Sequence, residues 1–293
     1  MTEAARKIPN VAAGARIARR FAKLAEAGQA GFVTFLTAGD PDDATSRALL
    51  QGLPAAGADL IELGMPFSDP MADGPTIQAA GQRALKAGAT LKRTLALVAD
   101  FRSRDAETPI ILMGYYNPIY RHGPEAFARD AAAAGIDGLI IVDLPPEEEA
   151  ELKPYAEQAG IAFIRLVAPT TDDARLATLL SGASGFVYYI AITGVTGTRS
   201  APAEEVRRAV ARLRGKTTLP IAVGFGIRTP EDAAQIARTA DAAVVGSALV
   251  QALAERLDGE GKPSAKLVPE LLDLVRRLAK AVHGARAKAG APS

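Results

Sequence analysis

The chain has 293 residues, 48% of them apolar and 23% charged, with no Cys and only two His, at positions 122 and 283. That composition suits a globular core, excludes a disulfide framework and thiolate chemistry, and disfavours a histidine-rich metal site. A formal charge of +1 gives the molecule as a whole no electrostatic pull toward nucleic acid or an anionic membrane.

The first stretch, "RKIPNVAAGARIARRFAKLAEAG", is basic and Ala-rich. It lacks the Ser content of a transit peptide and the apolar core of a signal peptide. Val11, Ile17, Phe21 and Leu24 fall near helical spacing, which predicts an amphipathic helix over about 11–27 that covers part of the fold. No apolar run approaches the ~20 residues of a membrane span, so the default location is cytoplasmic.

From residue 31 onward one cadence recurs. A helical stretch ends in a small residue and Gly, and a short apolar run rich in β-branched residues follows at once. It is written at "AAGADLIELG" (55–64), "AAGIDGLIIVDLP" (133–145), "QAGIAFIRLVAP" (158–169), "LSGASGFVYYIA" (180–191) and "RTADAAVVGS" (238–247). Gly supplies the left-handed turn that ends a helix, and a run buried on both faces alternates only weakly. With "GFVTFLTAG" (31–39), "TPIILMG" (108–114) and "LPIAVGFG" (219–226) there are eight such runs. The segments 44–53, 76–87, 124–134, 147–159, 172–180, 202–214, 230–239 and 266–282 read as helices. Pro54 should end or kink the first of them. Strict β–α alternation implies a parallel sheet, and eight units close a (β/α)8 TIM barrel. An open doubly wound sheet is disfavoured because no G-x-G-x-x-G follows the first strand. The chain therefore reads as a single barrel domain over 1–293, with an extra N-terminal helix and a Gly/Ala-rich tail after about 284 that is expected to be mobile.

Such a barrel carries its chemistry at the C-terminal ends of its strands. In "DLIELG", period-2 alternation places Leu60, Glu62 and Gly64 on one side and Ile61 and Leu63 on the other. If the Ile/Leu pair packs on the helices, Glu62 points into the barrel mouth. A carboxyl desolvated there is pushed toward a neutral-range pKa, as a general acid/base requires. The competing reading is a structural ion pair, for which Arg165 is the one basic group at a neighbouring strand. Asp73 follows 11 residues later in a Gly/Pro loop. Spacing alone leaves it equally a helix N-cap or a functional acid. Asp143 is a third strand-end acid, while Asp40 and Asp69 read as turn formers.

Late in the chain lie "TGVTGT" (193–198), "GFGI" (224–227) and "GSALV" (246–250). The last two follow strands 7 and 8, where barrels bind phosphate through backbone N–H groups and a helix N-terminus. Ser247 could cap the helix "SALVQALAERL" and donate to an anion. "TGVTGTRS" reads as either a lid or a plain flexible connection. Tyr188 offers a phenol near the mouth, and Phe35 and Phe225 offer apolar walls. None of the eight runs ends in Lys, so a Schiff-base aldolase lacks its nucleophile.

The strings "TAGDPD", "GADLIELGMPFSDPMADGPTIQ", "YYNPIYRHG", "GIDGLIIVDLPPEE", "TGVTGTR", "GFGI" and "GSALV" resemble, in order and spacing, the tryptophan synthase alpha chain family over nearly all of residues 10–280. The resemblance implies a (β/α)8 barrel that cleaves indole-3-glycerol phosphate to indole and glyceraldehyde 3-phosphate by a retro-aldol reaction. It implies no metal or organic cofactor in this chain, and a beta-chain partner that holds pyridoxal phosphate (PLP) in an alpha2beta2 tetramer. By the same resemblance Glu62 is the acid/base and Asp73 the carboxylate that meets the indole N–H. Tyr188 would lie beside the reacting centre, and Gly197, Gly226, Gly246 and Ser247 would line the phosphate. Thr196 would belong to the lid and orient Asp73.

Overall fold

The computed structural model describes residues 14–191, 203–224 and 226–286. Its strands are β1 (Gly31–Thr37), β2 (Leu60–Gly64), β3 (Ile110–Gly114), β4 (Gly138–Ile141), β5 (Ala162–Phe163), β6 (Arg165–Val167), β7 (Val187–Ile190), β8 (Ile221–Gly224) and β9 (Ala242–Val245). All pair in parallel, in the order β5-β4-β3-β2-β1-β9-β8-β7-β6. The fifth expected run is split at Ile164: β5 pairs with β4, and β6 pairs with β7. These two pieces are one stave of the barrel, joined to its two neighbours by different halves. Nine strands thus make eight staves, as the sequence pattern requires.

Around them run α1 (Ala15–Glu26), α2 (Asp43–Gly52), α3 (Pro75–Lys86), α4 (Leu91–Arg102), α5 (Tyr116–His122) and α6 (Pro124–Ala134). The second half adds α7 (Lys153–Gln158), α8 (Asp173–Ser181), α9 (Ala203–Arg214), α10 (Pro230–Ala237), α11 (Ser247–Ala254) and α12 (Leu267–Gly284). The helix α2 stops before Pro54, since a proline there could not supply the N–H that another turn needs. The helix expected over 147–159 is broken: a 3-10 turn at Glu149–Glu151 precedes α7, which opens on Lys153 and Pro154.

Two helices were not foreseen. The helix α4 starts at the N-cap Thr90, whose hydroxyl accepts the Arg93 N–H, and buries Leu95, Leu97, Val98 and Phe101. It packs against α2 and α6 and so is the crossover helix of its unit, while α3 lies against β1 and α11. The short α5 follows β3 at once. Assuming one helix per strand hides both.

Alternation along the strands sorts the core into two layers. Ile61 and Leu63 pack outward with Leu49, Leu50, Val98 and Phe101 of the helices. Val33, Leu60, Ile111, Ile140, Phe186, Ala222 and Val244 fill the barrel interior. The interior layer also contains Ile17, Phe21 and Leu24, so α1 plugs the N-terminal end of the barrel. Burying each of those side chains contributes roughly 1.5–3 kcal/mol before the entropy of ordering the helix.

The same end shares a repeated device. Asp59, Asp137 and Asp241 each stand just before a strand and accept an N–H from the first or second residue of the adjacent one, at Phe32 (2.8 Å), Ile110 (2.9 Å) and Ile221 (2.8 Å). Each carboxylate also meets a cation or imidazole: His283 and Arg20 at Asp59, Arg16 and Arg102 at Asp137, Arg214 and Arg286 at Asp241. These acids fix the staves from below and leave the opposite face for chemistry.

Candidate active site

At the C-terminal end of the barrel a cavity of about 170 Å³ is bordered by residues from β1, β2, β3, β6, β7, β8 and β9. A single water needs only about 10–15 Å³, so the cavity is large enough for an organic ligand of moderate size. Glu62 enters it from β2. The register pairs Glu62 with Phe35 on one side and Ile111 on the other, and its side chain takes the interior face opposite Ile61 and Leu63.

Glu62 is 1% exposed, and its Oε1 has no hydrogen-bond partner. Desolvation alone pushes the carboxyl from 4.5 to about 8. Arg165 does not relieve it. That guanidinium turns outward from β6, pairs with Glu149, donates to the Leu144 carbonyl at 3.3 Å and lies 4.6 Å over the Phe163 ring. The structural ion-pair reading of Glu62 therefore has no partner among the described residues.

Asp73 lines the same cavity from the loop between β2 and α3. It caps nothing: Gly74 is the N-cap of α3, and no side-chain capping bond is made there. Burial raises the Asp73 carboxyl above its usual range, and a hydrogen bond from the Tyr115 phenol opposes that rise. Two acids of one cavity are thus held in different environments, one dry and unpartnered, one half-buried beside a donor.

Tyr188 borders the cavity from β7, and its phenol is raised well above its ordinary range, first by burial and then by the Glu62 charge. Phe35 forms an apolar wall, and Gly64 at its ring tip has room only for hydrogen, since a Cβ there would lie 2.6 Å from the ring. Past β8, Gly226 takes φ 43°, a left-handed turn that favours glycine. It lines the cavity together with Gly246 and Ser247, so the N-terminus of α11 faces the same space. Gly246, not Ser247, is the N-cap of α11, and Ser247 is its first helical residue.

A family model described as tryptophan synthase alpha chain matches residues 21–282. The tryptophan synthase alpha chain of Granulibacter bethesdensis is 60% identical over 274 residues, covering 94% of this chain and 98% of the relative. The chain belongs to the tryptophan synthase alpha chain family. Solved structures agree: subunit alpha from Legionella pneumophila str. Paris superposes with TM-score 0.83 at 38% identity, over 91% of this chain and 98% of that one. A chain of Mycobacterium tuberculosis tryptophan synthase gives TM-score 0.82 at 39% identity, over 92% and 98%. The chain is accordingly a lyase of tryptophan biosynthesis that cleaves indole-3-glycerol phosphate, and its family implies a beta-chain partner.

Of the residues expected at this alpha-chain site, Phe35, Glu62, Asp73, Tyr188, Gly226, Gly246 and Ser247 border one cavity. Thr196, Gly197 and Phe225 lie outside the described residues, as does the stretch read as a lid or connection. The other acids have local tasks. Asp143 accepts the Tyr116 N–H at 2.8 Å at the start of α5, and Asp69 accepts from Ser68 at 2.6 Å. Asp40 is more than a turn former: it is 2% exposed and holds Arg83 of α3 through two bonds of 2.7 and 2.8 Å. That clamp ties the helix behind Asp73 to the end of β1.

Two cavity residues with polar side chains are not among those the sequence points to. Thr37 has a buried hydroxyl with no partner, and Tyr115 has its phenol beside Asp73. Alternation could have found Thr37, two residues beyond Phe35 on the inward face.

Gly224 sits directly under Tyr188, and a Cβ there would collide with the phenol. Its backbone pairs with both β7 and β9, so the strand has nowhere to retreat. Gly224→Ala is expected to push the ring into the cavity and lower kcat/KM for indole release by about 10²-fold. An unchanged rate would mean that the phenol has room to move without consequence.

Proposed function

We propose that Glu62 carries out the proton transfers of this retro-aldol cleavage and that Asp73 stabilises the charge they create. The observation that carries the reading is Glu62: a fully buried carboxyl with an unpartnered oxygen, in a cavity wall, protonated at pH 7 because its pKa is about 8. Neutral Glu62 gives its proton to C3 of the indole ring. The positive charge that forms is shared with the ring nitrogen, whose N–H meets the ionised Asp73. Glu62, now a carboxylate, takes the proton from the hydroxyl on the carbon attached to C3. That carbon becomes the aldehyde as its bond to C3 breaks, and the bonding pair returns to the ring to give indole. Glu62 ends protonated as it began, so the cycle balances with no cofactor of this chain's own.

Tyr188 and Phe35, with Phe225, would flank the indole. Gly226, Gly246 and Ser247, with Gly197, would hold the phosphate through backbone N–H groups and the N-terminus of α11. Thr196 would orient Asp73. Assembly as alpha2beta2 with a PLP-containing beta chain in the cytoplasm completes the reading. It is supported by family membership and by the lack, among the described residues, of a helix long and apolar enough to cross a membrane.

The test is indole release from indole-3-glycerol phosphate, measured with and without the beta chain. Cleavage supports the assignment; absent cleavage with the partner still activated would make the barrel a silent activator. The same assay reads pH. Activity in kcat/KM should rise as Asp73 ionises and fall through about pH 8 as free-enzyme Glu62 loses its proton. A profile still flat from pH 7 to about pH 9.5 would sink the acid role of Glu62.

A further inference from the structure

The stretch Tyr115–Tyr116–Asn117–Pro118 follows β3, and neither of the two acids accounts for it. Tyr115 is 2% exposed, yet it borders the cavity. Its phenol oxygen accepts the Ala72 N–H at 3.0 Å, one residue before Asp73. Its ring stacks on Phe67 in the same loop, with centroids 5.3 Å apart and planes at 29°. The end of β3 therefore grips the β2–α3 loop at two points on the N-terminal side of Asp73, and Asp40 grips α3 through Arg83 beyond it. An oxygen already accepting from Ala72 still has its own proton to give, and the group beside it is the Asp73 carboxyl.

We propose that Tyr115 is a positioning residue for the cleavage: its phenol pins the loop at Ala72 and donates to the Asp73 carboxylate, fixing the acid that meets the indole N–H. This rests on Asp73 having that role. Tyr115 acts through Asp73 and touches no reacting atom. Burial, followed by the Asp73 charge, pushes the phenol to about 12, so it remains a donor throughout the working pH range. Its contribution lies in the described fold and is separate from any contact from residues 192–202. Other charged groups face this loop: Asp143 contributes weakly at Tyr115, and Arg83 is engaged by Asp40.

Tyr115→Phe in the full chain, assayed for indole release, should lower kcat about 10- to 100-fold with KM changed less than about threefold. The acidic limb of the pH profile should move to higher pH, because Asp73 loses the bond that holds its pKa down. A monofluorinated tyrosine at 115, a stronger donor, should keep kcat near wild type and move that limb to lower pH. A merely structural tyrosine would shift neither limb. An unshifted limb and a kcat within about twofold in Tyr115→Phe, with kcat lowered about 10²-fold or more in Asp73→Asn, overturns the positioning role and leaves Asp73's role standing. Full activity in Asp73→Asn overturns both. If Tyr115→Phe fails to fold, the fluorinated protein decides alone: a limb moved to lower pH supports the proposal, and an unmoved one overturns it.

Discussion

Glu62→Gln is expected to lower kcat for indole release by about 10³-fold or more and to make the protein harder to unfold at alkaline pH. Glutamine keeps the shape of the side chain, so the walls that would hold indole and phosphate persist and ligand binding survives. What is lost is a proton that can leave and return. A rate above about a tenth of wild type would remove Glu62 from the chemistry. The stability effect has the same cause. Glu62 titrates at about 8 in the folded protein and near 4.5 when exposed. Between those values the folded chain holds a proton that the unfolded chain has released, so wild-type stability falls as pH rises. The slope is about 1.4 kcal/mol per pH unit, and the accumulated cost is on the order of 5 kcal/mol above pH 8. Below about pH 4.5 the penalty is absent. Glutamine cannot ionise, so the variant should match wild type near pH 5 and exceed it near pH 8.5 in urea unfolding. Equal stability at both pH values would mean that Glu62 is not held dry.

Asp73→Asn is the second large effect. It should lower kcat by about 10²-fold or more with little change in KM, because the carboxylate's charge matters most when the ring becomes positive. Folding should be preserved, with stability within about 0.5–1 kcal/mol of wild type. The structural reason is that Gly74, not Asp73, is the cap of α3, so no helix depends on this side chain. A variant that unfolded, or one that raised KM alone, would return Asp73 to a structural or uniform binding role.

Much of this architecture was legible because strand burial leaves a chemical trace. The helix-then-apolar cadence marks five of the eight staves, short apolar runs mark the other three, and alternation in "DLIELG" gives the direction of Glu62. The acids in "GADLIELG", "GIDGLII" and "TADAAVV" were visible, but their shared task was not, because an acid that hooks a neighbouring strand's N–H is defined only across the sheet. The break at Ile164 was hidden for a similar reason: one continuous apolar run pairs on its two sides through different halves. Asp40 looked like a turn former because its partner, Arg83, is 43 positions away. The choice between cap and functional acid at Asp73 could not be made from Asp-Gly-Pro, since the sequence permits helix entry at either residue. Tyr115 escaped because aromatic residues beside strands are usually core, and its phenol is meaningful only once the β2–α3 loop lies over it.

The fold delivers one carboxyl, stripped of water and partners, into the cavity, and that burial holds its pKa at about 8, which keeps it protonated at neutral pH. A carbon-13 NMR titration of the side-chain carboxyls, with the Glu62 resonance assigned by its loss in Glu62→Gln, measures this directly. A midpoint at about 8 agrees with the account. A midpoint near the 4.5 of an ordinary glutamate would contradict it, since Glu62 would then be ionised at pH 7 with no proton to give to the indole ring.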